Sequence, residues 1–223
     1  MFYSKAFSVL KKKFTKEWKH YVKHEFVNKL AKNTLKEEFF FKYLIQDYLF
    51  LIQFSKAWSL AFAKADTIEE MKLCASTVNG LINFEMDLHI KLCKSYGISR
   101  KNLEGSSEKN ENIAYTRYVL ENGYSGDFLD LITSLMPCVI GYAEIGYNLR
   151  KHNPKNFMYK KWIETYSGKD YQNIAKEVGR LFDDAITLRL GKNFAKTYKW
   201  KKMQKIFLTS TLLETDFWAM SLD

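Results

Sequence analysis

Apolar residues recur along most of the chain at intervals of three and four, and no stretch sustains the alternation that is typical of a strand. Turn-forming dipeptides such as Asn122-Gly123 and Asn153-Pro154 interrupt the pattern. Between them it predicts helices over residues 4–20, 25–32, 34 to beyond 58, 67–96, 111–121, 126–151, 156–166, 171–190 and 194–222. We therefore predict an all-α fold, a compact multi-helix bundle, with residues 1–223 forming one domain.

Two of these helices begin with a recognisable capping sequence. The segments 34–37 (TLKE) and 67–70 (TIEE) each place a glutamate three residues after a threonine, which predicts a capping box at both positions. The segment 99–112 is polar and contains consecutive small residues, so we predict that it is the main loop.

The composition agrees with a single helical domain that has a large core. Hydrophobic residues make up 47% of the 223 residues and aromatic residues 16%, which excludes a disordered chain. The 10 glycines and 2 prolines are few for a chain rich in β-turns. The three cysteines fit neither a disulfide framework nor a zinc site, so we expect a reducing, cytoplasmic setting.

Charge and hydropathy argue against nucleic-acid and membrane partners. The formal net charge is +10, but the lysines are spread over most predicted helices, whereas surfaces that bind nucleic acid usually concentrate basic residues on one face. The N-terminal segment lacks an apolar core and a cleavage signal, so we expect a core helix there rather than a secretory signal. The sequence has no run of about 18 uninterrupted apolar residues that would predict a transmembrane span.

The segment 134–147 (SLMPCVIGYAEIGY) concentrates three residues of chemical interest within one predicted helix. Pro137 removes a backbone donor and is expected to kink the helix. Cys138 follows it directly, and Tyr142 lies one turn further on the same helical face. A kink beside a cysteine leaves space and a free carbonyl near the thiol, as a reactive site requires. A small buried cysteine in a bent core helix explains the same residues equally well.

Two carboxylates occupy predicted apolar faces. Asp47 stands among aromatic and aliphatic residues in YLIQDYLFLIQF, and Glu214 does so in LTSTLLETDFWAMSL. A structural hydrogen bond to another helix accounts for either residue alone. Together with Cys138 and Tyr142, however, they supply a thiol, a phenol and two acids on inward faces, which favours an enzyme site in the bundle core.

Glu85 and His89 are four residues apart in NFEMDLHIKLC, which resembles half of a carboxylate-bridged metal site. Such sites also need a Glu-x-x-His motif on each of two other helices, and the sequence contains one, Glu17 to His20. We therefore predict a structural Glu85–His89 pair and no metal. Cys74 and Cys93 lack polar neighbours like those of Cys138 and are predicted to be core residues.

With these residues, the chain resembles the TenA, or thiaminase II, family over nearly its whole length. The resemblance rests on six motifs whose order and spacing are specific together: HEFV at 24–27, YLIQDYLFLIQF at 43–54, FEMDLHIKLCKSYGI at 84–98, AYTRYVLENGYSGDFLDLITSLMPCVIGYAEIG at 114–146, WIETYSG at 162–168 and LLETDFW at 212–218. The resemblance implies a heme-oxygenase-like helical bundle, a homotetramer, and one cofactor-free pocket per subunit. It also implies hydrolysis of 4-amino-5-aminomethyl-2-methylpyrimidine or thiamin to the hydroxymethylpyrimidine of thiamin salvage.

The resemblance also implies a role for each candidate residue. Cys138 matches the nucleophile that adds to the pyrimidine ring, and Glu214 matches the acid that exchanges a proton with a ring nitrogen. Asp47 matches the carboxylate that holds the exocyclic amine. Aromatic residues match the walls of the pocket, with Tyr142 near the sulfur: Phe50, Tyr115, Tyr142 and Tyr166.

Two departures from the family pattern bear on the pocket and on a helix start. Phe50 stands where many members have tyrosine, and His24-Glu25 replaces a common His-Pro. The alternative function is a non-catalytic protein that binds the pyrimidine or thiamin on the same fold. Such a protein would keep the aromatic residues and Asp47 but lose Cys138 or Glu214, and this chain has both.

Overall fold

The computed structural model describes residues 1–94 and 96–222, and all regular structure in this part of the chain is helical, as predicted. Its twelve α-helices are α1 (Lys5–Lys13), α2 (Thr15–Val22), α3 (Glu25–Ala31), α4 (Glu37–Ala63), α5 (Ile68–Gly80), α6 (Met86–Lys94), α7 (Arg100–Glu104), α8 (Asn110–Tyr124), α9 (Phe128–Leu149), α10 (Phe157–Ser167), α11 (Lys169–Leu190) and α12 (Tyr198–Ala219). A π-helical segment, Leu81–Glu85, joins α5 to α6, and a 3₁₀ turn, Phe194–Lys196, precedes α12.

The helices after the main loop lie close to their predicted bounds, whereas the first predicted helix, 4–20, is two helices in the structure. The break falls at Phe14, whose φ and ψ of −111° and 43° are not helical. Phe7 and Trp18, on either side of the break, both lie in the core and pack edge to face with ring centroids 5.1 Å apart. Because the apolar spacing continues across Phe14, the hydrophobic pattern does not reveal the break.

One of the two predicted capping boxes is confirmed. Thr67 accepts a hydrogen bond from the backbone N–H of Glu70, and the Glu70 carboxylate accepts one from the backbone N–H of Thr67. The helix that begins there continues through the π-helical segment into α6 and is described to Lys94. The predicted end near 96 falls partly on residue 95, which lies outside the described residues. The predicted loop 99–112 contains α7 and the start of α8.

The capping box predicted at Thr34 is wrong. The helix α4 begins at Glu37, and Lys36 precedes it without a side-chain cap. The backbone N–H of Thr34 instead donates to the carbonyl of Lys29 and helps to end α3. Asn33 just before it adopts the left-handed conformation with φ of 59°, a common way to end a helix. The threonine therefore belongs to the end of one helix rather than to the start of the next.

The central element of the bundle is α9, which packs against α8, α10, α11 and α12. By length and composition this helix could cross a membrane, with a mean hydropathy of 1.5, but 94% of that apolar window is buried inside the protein. Its apolar character is therefore explained by its place in the core. The helix is continuous through Pro137, and the kink there stays a prediction.

Two glycines of α9 allow neighbouring helices to approach its backbone. A Cβ atom at Gly141 would lie 2.3 Å from the ring of Tyr21 on α2, and one at Gly146 would lie 2.3 Å from the backbone carbonyl carbon of Tyr166 on α10. No side chain fits at such distances. The glycines therefore bring Tyr21 and Tyr166 against the part of α9 that carries Cys138.

Candidate functional site

The seven residues predicted for the site are all buried: Asp47 and Phe50 on α4, Tyr115 on α8, Cys138 and Tyr142 on α9, Tyr166 on α10, and Glu214 on α12. Cys138 is the most exposed of them, with 9% of its surface accessible. Hydrogen bonds, ring contacts and charge interactions connect all seven. A thiol, two acids and four aromatic rings from five helices therefore meet in one part of the core.

Glu214 is held by a tyrosine of the neighbouring helix. The Tyr115 hydroxyl donates a 2.8 Å hydrogen bond to Oε1 of Glu214. Burial raises the pKa of Glu214 to about 8, although interactions with Tyr115, Tyr21 and Cys138 lower it. At pH 7 this carboxyl group is therefore mostly protonated and can donate a proton to a bound ligand.

The thiol of Cys138 is also mostly protonated. Burial raises its pKa well above the ordinary value of 9.0, and the charges of Glu214, Glu85 and Asp47 raise it further. A thiolate is the stronger nucleophile, so the thiol needs a group that takes its proton as it reacts. The Glu214 carboxyl group interacts directly with the thiol and can exchange that proton.

Asp47 lies at the centre of a buried hydrogen-bond network. Its Oδ2 atom accepts a 2.9 Å hydrogen bond from the Tyr43 hydroxyl and lies 2.6 Å from Nε2 of His89. Trp162 donates from its indole nitrogen to the same Tyr43 hydroxyl over 3.1 Å. These contacts fix the orientation of the Asp47 side chain. Both bonds to Asp47 use Oδ2, and neither Tyr43 nor His89 bonds to the other oxygen, Oδ1.

The protonation of His89 follows from its partners. Its Nδ1 atom lies 2.9 Å from the backbone carbonyl oxygen of Glu85, which can only accept, so Nδ1 carries a proton. Burial lowers the pKa of His89, but the hydrogen bond and the charge of Asp47 outweigh burial and raise it. The raised pKa favours the protonated imidazole, which donates from Nε2 to Oδ2 of Asp47.

Glu85 and His89 are paired through the backbone carbonyl of Glu85 rather than by a hydrogen bond between their side chains. The other imidazole nitrogen of His89 bonds to Asp47, and the Glu85 carboxylate accepts a 2.9 Å hydrogen bond from the Tyr166 hydroxyl. The i,i+4 rule describes an α-helix, whereas Glu85 ends a wider π-helical segment. No group of three or more potential metal ligands occurs among residues 1–94 and 96–222.

Two groups of aromatic rings, called the aromatic walls, lie next to the polar groups. In one of them Phe50 packs against Tyr115 and Phe217, with ring centroids 5.2 and 5.4 Å apart. In the other, Tyr142 and Tyr166 pack edge to face at 5.0 Å. Aromatic rings beside a few polar groups suit a planar heteroaromatic ligand.

Four further residues belong to the site. Tyr21 and Tyr43 were not predicted from the sequence, and Glu85 and His89 were predicted only as a structural pair. Asp47 and His89 are 42 positions apart, so no helical spacing predicts their pairing. Tyr43 lies one turn before Asp47, and an i,i+4 pair of tyrosine and aspartate was a signal that could have found it. Cys74 and Cys93 are buried in the core, as predicted.

The chain is similar to known proteins over most of its length. The chain is 36% identical over 208 residues to an uncharacterized protein of Haemophilus influenzae, covering 92% of this chain and 94% of that protein. It is 30% identical over 209 residues to an aminopyrimidine aminohydrolase of Halalkalibacterium halodurans, covering 92% of this chain and 89% of that protein.

A crystal structure from a Silicibacter species, described as a TenA family transcription regulator, shares 48% identity. It superposes with a TM-score of 0.95 and covers 99% of this chain and 97% of that one. The model of the TENA/THI-4/PQQC family matches residues 11–223, which agrees with the resemblance carried by the six motifs. The chain therefore belongs to the TENA/THI-4/PQQC family.

Proposed function

We propose that this protein is a hydrolase of thiamin salvage that uses Cys138 for covalent catalysis. Its substrate would be 4-amino-5-aminomethyl-2-methylpyrimidine, thiamin or both, and its product the corresponding hydroxymethylpyrimidine. The observation that carries the proposal is the meeting of Cys138, Glu214 and Asp47 within one aromatic-walled site. The aminopyrimidine aminohydrolase of H. halodurans, similar over most of its length, supports the same reaction class.

Each polar group of the site has a counterpart on an aminopyrimidine. The carboxyl oxygen of Asp47 that lies outside the bonds to Tyr43 and His89 can accept a hydrogen bond from the exocyclic amine, and the protonated Glu214 can donate one to a ring nitrogen. These two contacts fix the ring in its plane, while the walls containing Phe50, Tyr142 and Tyr166 pack against its faces.

Proton transfer through Glu214 makes the attack of a neutral thiol feasible. As the sulfur lone pair forms the bond to the ring, the protonated carboxyl group delivers its proton to the ring nitrogen. The thiol proton then passes to the carboxyl group, which ends the step neutral. No isolated negative charge develops on the ring, which would be costly in a buried site.

The remaining steps release the substituent and restore the cysteine. The adduct is no longer aromatic, and its electrons expel the leaving group from the methylene carbon. Water adds to that carbon and gives up a proton, the carbon–sulfur bond breaks, and the thiol takes a proton back. The sum is replacement of an amine or thiazolium by hydroxyl, with no net change in the enzyme.

A role in gene regulation, which the name of the Silicibacter protein suggests, would not use this site. Groups that contact nucleic acid lie on the surface, whereas Asp47 and Glu214 are 3% and 1% exposed. Non-catalytic binding of the pyrimidine would use Asp47 and the aromatic walls, but it gives no reason for a thiol next to a protonated acid.

The test is incubation of the purified protein with aminomethylpyrimidine and, separately, with thiamin, followed by chromatographic measurement of hydroxymethylpyrimidine. We expect multiple turnovers of at least one substrate, with incorporation of ¹⁸O from labelled water into the product hydroxyl. Binding of the pyrimidine without product over many hours would support the binding protein and contradict the proposal.

A further inference from the structure

Glu85 is a third acid at the site, and the mechanism above does not use it. Its Oε1 atom accepts a 2.9 Å hydrogen bond from Tyr166, a residue of the aromatic wall. Its backbone carbonyl binds His89, which in turn binds Asp47. Glu85 is the last residue of the π-helical segment Leu81–Glu85, and such segments occur frequently at functional sites.

The carboxyl group of Glu85 is close enough to the reacting groups to influence them. Its charge raises the pKa of Cys138, with a larger effect than that of Asp47. The residue as a whole is partly exposed, whereas Asp47, Cys138 and Glu214 are buried. Part of Glu85 therefore reaches the surface, although burial of its carboxyl group raises the pKa of that group.

The chemistry of the proposed substrate places its leaving group near Glu85. This step rests on the proposed function, in which Asp47 holds the exocyclic amine. The ring carbon that carries the reactive methylene is adjacent to the carbon that carries this amine. The leaving group therefore lies beside Asp47, which His89 joins to the backbone carbonyl of Glu85. The carboxyl group of Glu85 itself interacts electrostatically with His89, Asp47 and Cys138.

We propose that Glu85 binds the ammonium group of the aminomethyl substrate and makes the site selective for an amine over a thiazolium leaving group. An ammonium has three N–H donors, and a carboxylate can accept several hydrogen bonds while it keeps the one from Tyr166. The thiazolium of thiamin has no N–H on its charged nitrogen, and its charge is spread over a ring. Glu85 thus takes part in binding and specificity and in no bond-breaking step.

Binding can be separated from turnover in the Cys138→Ser variant, which the mechanism makes inactive. In this background Glu85→Gln keeps the size of the side chain and an acceptor for Tyr166 but removes the charge. Calorimetry should show that Glu85→Gln weakens aminomethylpyrimidine binding by at least about tenfold and hydroxymethylpyrimidine binding by less than about threefold. Asp87→Asn, an exposed site two residues further on, is the matched control for loss of one negative charge.

Turnover gives a second readout in the protein with Cys138 intact. Glu85→Gln should lower kcat/KM for the amine relative to thiamin, while Glu85→Asp, which keeps the charge, should restore part of the ratio. The role of Glu85 would be overturned if Glu85→Gln weakened the binding of aminomethylpyrimidine and hydroxymethylpyrimidine equally. It would also be overturned if the ratio of kcat/KM for the amine to that for thiamin did not change. If the parent protein turns over neither substrate and binds neither pyrimidine, it is the proposed function that has failed.

Discussion

Nε2 of His89 on α6 lies 2.6 Å from Oδ2 of Asp47 on α4, in the interior of the bundle. The pair joins the carboxyl group proposed to hold the substrate amine to a histidine that fixes its orientation. A carboxyl group fixed in this way binds an amine donor without first having to rotate.

We expect His89→Gln to weaken the affinity for hydroxymethylpyrimidine by roughly 1.5–3 kcal/mol, because it removes a charge-assisted hydrogen bond to Asp47. Calorimetry on the folded variant measures this loss, and chemical denaturation measures the change in the free energy of unfolding separately. A variant that is less stable but binds the pyrimidine as tightly as the parent would show that His89 only supports the fold.

Substitutions of Asp47 and Glu214 should affect binding and turnover differently. In Asp47→Asn, the amide oxygen can still accept from Tyr43, which turns the amide N–H₂ toward the donor of the substrate. We expect weaker binding of substrate and product by about 1–3 kcal/mol, together with slower turnover. Because the carboxylate contacts the amine before and during the reaction, both quantities should change.

Glu214→Gln keeps a group that can hydrogen-bond to Tyr115 but cannot deliver a proton to the ring. It should therefore lower kcat far more than it weakens product binding, the pattern of an interaction made mainly in the transition state. The measurements are affinities for hydroxymethylpyrimidine set beside turnover rates for both variants. If Asp47→Asn and Glu214→Gln lowered the affinity for hydroxymethylpyrimidine by the same factor, and lowered kcat by the same factor, the two acids would share one role.

The raised pKa of Glu214 also predicts how stability depends on pH. Its pKa is about 8 in the folded protein and near the ordinary 4.5 when unfolded. Between these values the folded state binds more protons than the unfolded state, so the free energy of unfolding falls as the pH rises from 4.5 to 8. The maximal slope from one group is about 1.4 kcal/mol per pH unit.

Denaturation of the parent protein and of Glu214→Gln at a series of pH values isolates this effect, because glutamine does not titrate. The free energy of unfolding of the parent, minus that of Glu214→Gln, should become larger as the pH is lowered from 8 toward 4.5. A difference that stays constant across the window would show that the carboxyl group is ionised in the folded state.

The sequence was sufficient to predict the parts of the fold that repeat a local pattern. The apolar spacing predicted the long helices, and TIEE at 67–70 predicted a capping box that the structure contains. The same pattern failed at Phe14 and at Thr34, where the outcome depends on backbone angles and on how the preceding helix ends. Local sequence does not specify those features without the neighbouring helices.

In the candidate site, too, local sequence predicted some features, and others depend on contacts between distant parts of the chain. Asp47 and Glu214 could be found because a carboxylate among apolar neighbours is unusual, and the motif resemblance supplied their roles. Their hydrogen bonds to His89 and Tyr115 could not be predicted, because these two residues lie on other helices, 42 and 99 positions away in the chain. Such pairings depend on the packing of the whole bundle.

Cys74 and Cys93 provide a contrast to Cys138. Both are fully buried, and burial raises the pKa of their thiols to about 12 and about 11. We expect Cys74→Ala and Cys93→Ala each to lower the free energy of unfolding by about 1 kcal/mol through lost apolar volume, with kcat unchanged. A selective loss of rate in either variant, at unchanged stability, would contradict their assignment to the core.

The central claim is that Cys138 is the nucleophile, and the most direct test is the turnover rate of Cys138→Ser beside its affinity for hydroxymethylpyrimidine. Cys74→Ser is the matched control for the same change at a buried cysteine outside the site. We predict that Cys138→Ser loses more than about a hundredfold in rate, or roughly 3 kcal/mol in the barrier, with nearly unchanged product affinity and fold. A Cys138→Ser protein that keeps more than about a hundredth of the parent rate would contradict covalent catalysis by this cysteine.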